Sequence, residues 1–329
     1  MNSAVKYVLW VMGLVAVAGA AYFYYTGFYY RTAGTVEVEI PKGMGLKPIA
    51  LRLESRKVIK DDLVFVLYVK LRGSENKLKA GEYRFEAGVT MDAVVEKLLK
   101  GEVSLRRFTI AEGLTLKQIA QVLSKREVLT GTRFLSRAQD RDFVNKLLGY
   151  DAGSLEGYLF PETYTYELGF DEDDITRAMV SRYREVYDSL DTSEVNLTEH
   201  EVVTLASIIE KETSVPGERP LISAVLHNRL RIGMRLECDP TVIYGLGNDF
   251  DGNITKADLK AEHDYNTYVI TGLPPGPIAS PGAASLEAAV KPADVKYLYF
   301  VSKGDGTHHF SATYTDHQSA VYKYRKLKR

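Results

Sequence analysis

The sequence predicts an α+β protein with an N-terminal membrane helix, a small α/β domain and a larger mixed α+β domain. Three observations carry this prediction: an uncharged N-terminal stretch, a repeated strand–glycine–helix unit and one long amphipathic helix. The 329 residues allow roughly two folded domains. We place a tail at residues 1–6, a transmembrane helix at 7–30, the small domain at 31–107 and the larger domain at 108–329.

The segment from Tyr7 to Tyr30 contains no charged residue. About 20 apolar residues are enough to cross a bilayer, and tyrosines at one end are typical of a membrane interface. We therefore expect one membrane-spanning anchor. A cleaved secretory signal is the alternative, because Ala18-Gly19-Ala20 fits the small-x-small cleavage pattern. Cleavage there would leave an aromatic, apolar new terminus, which favours the anchor.

An internal repeat predicts the small domain. The segments 40–53 and 110–123 are identical at half of their aligned positions, and a weaker copy surrounds Gly88. In each copy a glycine stands at a fixed place, and apolar positions recur at helical intervals from three residues later. Each copy therefore predicts a strand, a glycine turn and a helix. We expect the third copy to open the larger domain.

The composition excludes several classes of function. With 42 basic and 43 acidic residues, the net charge of -1 gives no basic surface for nucleic acid. A single cysteine excludes an intramolecular disulfide and a cysteine-rich metal site. His308-His309 is the only adjacent histidine pair and lacks the wider spacing of metal ligands. We therefore expect no cofactor, no metal and no nucleic-acid partner.

The amphipathic helix is predicted over residues 199–212. Thr198 stands three residues before Glu201, the spacing of a capping box, and apolar residues then recur at helical intervals. The helix should end before Pro216, because proline cannot continue it.

Glu210 lies in the last turn of this predicted helix and is our candidate general acid. The negative end of the helix dipole and the apolar helix face both disfavour a charged carboxylate there, and a general acid must hold its proton. Glu212 points to a different side, because residues two apart on a helix do not share a face. For both glutamates, a solvated charge at the helix end is the alternative.

Four strings resemble the YceG-like family, the endolytic murein transglycosylases of the MltG type. They lie at residues 155–164, 227–245, 265–268 and 272–282, and the resemblance covers nearly the whole chain after the anchor. It implies an enzyme that cuts peptidoglycan glycan strands between N-acetylmuramic acid and N-acetylglucosamine, leaving 1,6-anhydro ends. It also implies that Glu210 is the catalytic glutamate and that residues 31–107 form a LysM-like, glycan-associated domain.

The same strings supply candidate substrate-binding residues. Neutral hydrogen-bonding groups suit N-acetyl and hydroxyl recognition, and an arginine suits the carboxylates of muramyl lactate or stem peptide. The candidates are Asn228, Arg229, Thr241, Tyr244, Tyr265, Asn266 and Thr267, with Glu162, Glu212 and Asp239 as further acidic residues. For each of them, a surface or fold-stabilising role is the alternative.

The chemistry leaves three functional hypotheses open. A transglycosylase needs one carboxyl group, because the muramic acid's own 6-hydroxyl is the attacking group. A muramidase-like hydrolase needs a second carboxylate, for which Asp239 or Glu162 is available. The third reading is a non-catalytic scaffold that binds glycan and positions cell-wall synthases such as penicillin-binding proteins. The resemblance implies an inner (plasma) membrane location with the bulk of the chain on the cell-wall side.

Overall fold

The computed structural model describes residues 3–167 and 170–326, and it has the predicted mixed α+β architecture. The chain divides into two compact units. The first unit is Met1–Arg107 with Thr165–Phe170, and the second is Phe108–Tyr164 with Asp171–Arg329.

The uncharged N-terminal segment is a helix, as predicted. Helix α1 (Ser3–Tyr24) continues into a π-helical turn, Tyr25–Tyr29. Within the combined helix Ser3–Tyr29, a stretch of 18 residues has a mean hydropathy of 1.8, and the helix is, by length and composition, apolar enough to cross a membrane. It is therefore a candidate membrane anchor.

After the anchor, the first unit contains a two-stranded sheet and three helices. In chain order these are β1 (Val36–Ile40), α2 (Leu46–Ser55), α3 (Asp62–Leu71), β2 (Gly81–Phe85) and α4 (Met91–Lys100). The two strands are antiparallel, with Val36 opposite Phe85. Side chains alternate along β1, so that Val38 and Ile40 enter the core while Glu37 and Glu39 face solvent.

The repeated unit has the predicted form in all three copies. A left-handed glycine follows each strand: Gly43 after β1, Gly88 after β2, and Gly113 after β3 (Leu105–Thr109). Helices α2, α4 and α5 (Leu116–Lys125) each begin three residues past that glycine. The positive φ values of 73–85° explain why glycine occupies these positions.

The second unit is mainly helical, with one short hairpin near its end. Strand β3 pairs with β4 (Thr163–Glu167). The elements of the second unit after α5 are α6 (Gly131–Ala138), α7 (Arg141–Leu148), α8 (Glu172–Asp188), α9 (Glu199–Glu212), α10 (Arg219–Arg231), α11 (Asp239–Leu246), α12 (Ala283–Val290), β5 (Tyr299–Ser302), β6 (His308–Ser311) and α13 (Tyr314–Val321). Strands β5 and β6 form an antiparallel hairpin.

Helix α9 is the central element of the second unit. Its residues from Val202 to Ile209 are all buried, and it packs against α10, α11 and α12. It begins with the predicted capping box of Thr198 and Glu201, and it ends at Glu212, so the predicted helix is confirmed. The last turn of α9 therefore emerges from the core between three other helices, which hold its side chains in defined positions.

Candidate active site at the end of helix α9

The Glu210 carboxylate is held by fixed protein partners. Its Oε2 accepts hydrogen bonds from the Ser285 hydroxyl at 2.7 Å and from the Gly282 backbone N–H at 3.1 Å. The Arg219 guanidinium lies 3.6 Å from Oε1, and the Glu210 side chain is only 8 % exposed. These contacts stabilise a charged carboxylate that ties α9 to α10 and α12.

A second carboxylate, that of Glu112, approaches the same arginine. Glu112 Oε2 lies 3.9 Å from Arg219, whose Nε donates to the Ser285 hydroxyl at 3.1 Å. Burial raises the pKa of Glu112, and the charge of Glu210 adds to that rise. The contacts of Arg219 with Glu112 and Glu210 therefore connect the turn after β3 to the last turn of α9.

Glu212 has a different environment. Its half-buried side chain lines a cavity of about 310 Å³ together with Asp239 and Tyr268. Burial raises the pKa of Glu212 to about 7, and the nearby charge of Asp239 adds to that rise, whereas the Cys238 thiol and Arg229 oppose it. A carboxyl group that exchanges its proton near neutral pH beside a polar cavity is suited to general acid–base chemistry.

A second carboxyl group, that of Asp239, lines the same cavity. Asp239 is exposed at the start of α11, and the Tyr268 hydroxyl donates to its Oδ1 at 2.6 Å. The cavity thus contains a carboxyl group with a raised pKa and a solvated, hydrogen-bonded carboxylate. Two carboxyl groups whose surroundings differ in this way can take separate roles as proton donor and as negative charge.

The hairpin β5–β6 forms another wall of the cavity, and its His308 contacts the buried Glu218. His308 lines the cavity, its Nδ1 lies 2.7 Å from Glu218 Oε2, and its backbone N–H donates to Glu218 Oε1 at 2.7 Å. Although burial opposes the shift, these bonds hold the pKa of Glu218 below its ordinary value. Glu218 also accepts from the Thr213 hydroxyl, directly after Glu212. The pair therefore fixes the hairpin against the end of α9.

The side chains of Asn228 and Arg229 form most of their hydrogen bonds with backbone carbonyl groups. Asn228 Nδ2 donates to the carbonyls of Val295 and Tyr297 at 2.8 and 2.9 Å. Arg229 donates to the carbonyl of Leu298 at 2.7 Å and pairs with Glu237 at 3.1 Å. Both side chains are buried, although Arg229 also lines the Glu212 cavity. Their contacts position the cavity walls.

Three further sequence candidates are buried: Thr241 lies in the first turn of α11, and Asn266 and Thr267 lie in the segment that follows this helix. The hydroxyls of Thr241 and Thr267 lie 2.8 Å apart, and the Cys238 backbone N–H donates to the Thr267 hydroxyl at 2.9 Å. Asn266 donates to the Ala261 carbonyl at 2.7 Å. This network fixes the residue that immediately precedes Asp239, so these side chains position the cavity from inside the fold.

Tyr244 and Tyr265 belong to a different environment. Their rings contact each other with centroids 4.8 Å apart, and the Tyr244 hydroxyl donates to Glu156 Oε2 at 3.2 Å. Glu156 and Tyr244 line a second cavity, of about 630 Å³. Glu156 also accepts from the Leu116 backbone N–H at 2.8 Å, and burial raises its pKa to about 7.

Glu162 lies apart from both cavities. Its exposed carboxylate pairs with Arg182 at 2.5 Å on the surface. The string around residues 155–164 therefore brings Glu156, which the sequence analysis did not select, to the second cavity. In residues 3–167 and 170–326, no group of three or more His, Cys, Asp or Glu side chains is arranged to hold a metal ion.

Tyr268, His308 and Glu218 were missed by the sequence analysis. Tyr268 belongs to the recognised string at 265–268, so its position was available, but only its neighbours were chosen. The His308–Glu218 contact joins residues far apart in the chain, and no spacing rule indicates it.

Comparison with known proteins identifies the class of protein. Residues 38–323 match the YceG-like family, and the chain belongs to that family. A protein of Bacillus subtilis (strain 168) named endolytic murein transglycosylase is 35 % identical over 308 residues, which cover 88 % of this chain and 85 % of that protein.

Two further similarities extend this result. A Streptococcus pneumoniae (strain D39) protein, also named endolytic murein transglycosylase, is 32 % identical over 87 % of this chain, and the match spans 58 % of that longer protein. The crystal structure of a yceG-like protein from Listeria monocytogenes is similar with a TM-score of 0.58 and 33 % identity, covering 87 % of this chain and 98 % of that one.

Proposed function

We propose that this protein is a membrane-anchored endolytic murein transglycosylase. It cleaves peptidoglycan glycan strands between N-acetylmuramic acid and N-acetylglucosamine and forms 1,6-anhydro-N-acetylmuramic acid ends. Family membership and the Bacillus subtilis relative support the reaction class. The observation that carries the proposal is Glu212, a carboxyl group with a pKa of about 7 that lines a polar cavity.

In the proposed mechanism Glu212 acts first as an acid and then as a base. Its proton passes to the glycosidic oxygen as the bond to C1 of the muramic acid breaks. The resulting Glu212 carboxylate then accepts the proton of the muramic acid 6-hydroxyl as that oxygen bonds to C1. No water is consumed, and the carboxyl group regains its proton. The attacking hydroxyl is already part of the substrate, so its effective concentration is high.

Asp239 has a separate role in this mechanism. The transition state of glycosidic cleavage carries positive charge on the sugar ring. Asp239 lines the same cavity as Glu212, and the Tyr268 hydroxyl orients its carboxylate. A fixed negative charge at this place stabilises the developing positive charge.

Contacts favour Glu212 over Glu210 as the acid. The Glu210 carboxylate accepts hydrogen bonds from Ser285 and Gly282 and pairs with Arg219, and these contacts give it a structural role. Its sequence-based assignment used the helix end, the apolar face and the resemblance to the YceG-like family, and the first two of these features apply equally to the turn that carries Glu212. The cavity distinguishes the two residues.

The muramidase-like hydrolase is the second candidate, because Asp239 shares the cavity of Glu212. In that reaction the second carboxylate activates water or attacks C1, and the product gains one water. Glu162 does not support this reading, since it lies on the surface with Arg182.

The remaining parts of the proposal concern location and binding. The candidate anchor supports a membrane location, and we propose that this is the inner (plasma) membrane, with the second unit on the cell-wall side. The order β1–α2–α3–β2 with antiparallel strands supports a LysM-like domain that associates with glycan. Cell-wall synthases are the proposed protein partners, because strand cleavage and strand synthesis act on the same polymer.

Mass spectrometry of the products tests the function. The purified full-length protein is incubated with sacculi, and the released fragments are compared with a muramidase digest. Anhydro ends, one water lighter than hydrolysis products, are expected from the parent protein. Glu212→Gln should reduce product release by roughly 100-fold or more, as expected for loss of a general acid, while the variant still folds and binds sacculi.

Three results would contradict the proposal. Hydrated ends would make the protein a muramidase. If the parent protein bound sacculi without cleaving them, it would be a non-catalytic scaffold. Unchanged cleavage by Glu212→Gln with loss in folded Glu210→Gln would return the acid to Glu210.

A further inference from the structure

Helix α3 carries apolar side chains on its buried side and also on a side that faces outward. Phe65 and Val69 are fully buried, whereas Leu63, Leu67 and Leu71 are 67 %, 49 % and 73 % exposed. Residues spaced by four lie on one face of a helix, so the three leucines form a continuous stripe. An exposed apolar stripe of this kind marks a surface of interaction.

The end of the anchor helix packs directly onto α3. The Tyr22 hydroxyl donates to Asp61 Oδ2 at 2.8 Å, and Asp61 caps the N-terminus of α3. The rings of Phe23 and Phe28 lie 6.4 and 6.1 Å from the ring of Tyr68, on α3. The anchor is therefore fastened to α3 and is not joined to the unit by a free linker.

Helix dimensions bring this contact to the membrane boundary. The hydrocarbon layer takes about 20 helical residues, and counting from Tyr7 places its far edge near Thr26. Tyr24, Tyr25 and Tyr29 are exposed there, as in an interfacial aromatic belt. Residues of α1 that contact α3 therefore lie at the boundary between hydrocarbon and headgroups, and α3 lies there with them.

We infer that α3 is an interfacial helix whose leucine stripe, Leu63, Leu67 and Leu71, inserts into the lipid surface. The occupant is lipid because α3, which carries the stripe, packs against the anchor, and the anchor already requires a bilayer. Exposed Lys60 and Lys70 flank the stripe, and they suit the anionic headgroups that attract interfacial helices. The inference rests on α1 spanning the membrane and is independent of the catalytic assignment.

The consequence is a fixed orientation of the first unit. The anchor alone would allow the unit to rotate about the helix axis or tilt away from the membrane. A second contact through α3 removes that freedom, so the first unit lies on the bilayer surface in one orientation.

Site-specific fluorescence on the full-length protein tests the inference. Leu67→Cys is labelled with an environment-sensitive fluorophore and reconstituted into vesicles of phosphatidylcholine and phosphatidylglycerol. Phospholipids brominated either near the top or near the end of the acyl chains serve as shallow and deep quenchers. The unmodified protein controls for background labelling, because its only cysteine, Cys238, is buried.

Two further labelled positions supply references. Glu39→Cys, exposed on β1, reports solvent, and Val15→Cys, exposed in α1, reports the bilayer interior. Quenching at position 67 should exceed that at position 39 by at least about threefold, since interfacial helices bury their apolar face among the acyl chains.

Each alternative result overturns the inference in a recognisable way. Equal quenching at positions 67 and 39, with Val15 quenched by lipid, would show that α3 stays in solvent. A shielded label at position 67 that lipid does not quench would mean that a second copy or another protein covers the stripe. An unquenched Val15 would remove the membrane-spanning premise itself.

Discussion

Glu210 and Glu212 lie two residues apart in the last turn of α9, but their carboxyl groups have different surroundings. Glu210 is paired with Arg219 and hydrogen-bonded by Ser285, whereas Glu212 lines a polar cavity with Asp239. A single helical turn thus supplies a fixed structural anion and a group that titrates near neutral pH. Glu210 immobilises the turn, and Glu212 on the same turn is therefore held in its position beside the cavity.

Glu210→Gln is expected to reduce stability more than activity. The substitution removes the anion that faces the largely buried Arg219, and a buried donor left without its charged partner costs roughly 1–3 kcal/mol. Urea unfolding measures this loss, and product release per folded molecule should stay within a few-fold of the parent. Ser285→Ala is the matched comparison, since it removes the bond to Glu210 and the one from Arg219 but keeps both charges. A fully folded but inactive Glu210→Gln would contradict the structural role.

Cleavage should depend on pH through Glu212. The acid form is needed to protonate the leaving oxygen, and burial raises the pKa of Glu212 to about 7, so the rate should fall as the pH rises through that value. Asp239 contributes to the raised pKa. Asp239→Asn should therefore move the alkaline limb to lower pH, in addition to slowing cleavage.

Initial rates on solubilised glycan strands across neutral pH measure both effects. Asp264→Asn, at another acidic position outside the residues that line the cavity, is the control and should leave the profile unchanged. An alkaline limb that stays in place in Asp239→Asn would mean that the two carboxyl groups are not coupled during catalysis.

Local patterns in the sequence predicted the elements that depend on neighbouring residues. The three glycine turns and the capping box at Thr198 are local, because the conformation of a few residues decides them, and all are confirmed. A further local capping box, formed by Asp171 and Asp174, begins α8.

The choice between Glu210 and Glu212 could not be made by local reasoning. Both lie in the same turn, so helix position gives them nearly equal claims. The difference comes from Arg219 and Ser285 on one side and from Asp239 and Tyr268 on the other. These partners are brought together by the packing of α9, α10, α11 and α12, and periodicity along one segment contains no information about them.

Glu156 should make stability depend on pH. Its pKa is raised from 4.5 to about 7 by burial, so the folded state keeps a proton that the unfolded state has lost between these values. The unfolding free energy therefore falls as the pH rises through this window, by up to about 3 kcal/mol for such a shift. Glu212 acts in the same direction, so Glu156→Gln should reduce the slope and not remove it.

Urea unfolding at a series of pH values measures this slope. Glu162→Gln is the control, because that carboxylate lies on the surface beside Arg182. A slope in Glu156→Gln equal to that of the parent would show that the buried carboxyl does not hold its proton in the folded state.

Gly157→Ala should be more destabilising than Gly153→Ala, although both glycines have left-handed backbones. Their φ values are 85° and 76°, so each alanine meets a conformational cost of about 1–2 kcal/mol. An added Cβ at Gly157 would lie 2.4 Å from Cβ of Pro277 and 3.1 Å from a methyl group of Val203 on α9, whereas nothing lies within 4 Å at Gly153. Overpacking of this kind adds about 1–3 kcal/mol.

The comparison isolates packing from backbone strain. Chemical denaturation of the two variants should give a difference of about 1–3 kcal/mol between them, because strain is common to both and cancels. If the two variants were equally destabilised, the loop at Pro277 would move aside at little energetic cost and would not press against α9. Pro277 directly precedes Ile278, whose N–H donates to the Ser207 hydroxyl on α9 at 3.0 Å. Gly157→Ala should therefore also weaken the contact that supports the turn carrying Glu212, and lower cleavage. Gly153→Ala should leave cleavage per folded molecule unchanged.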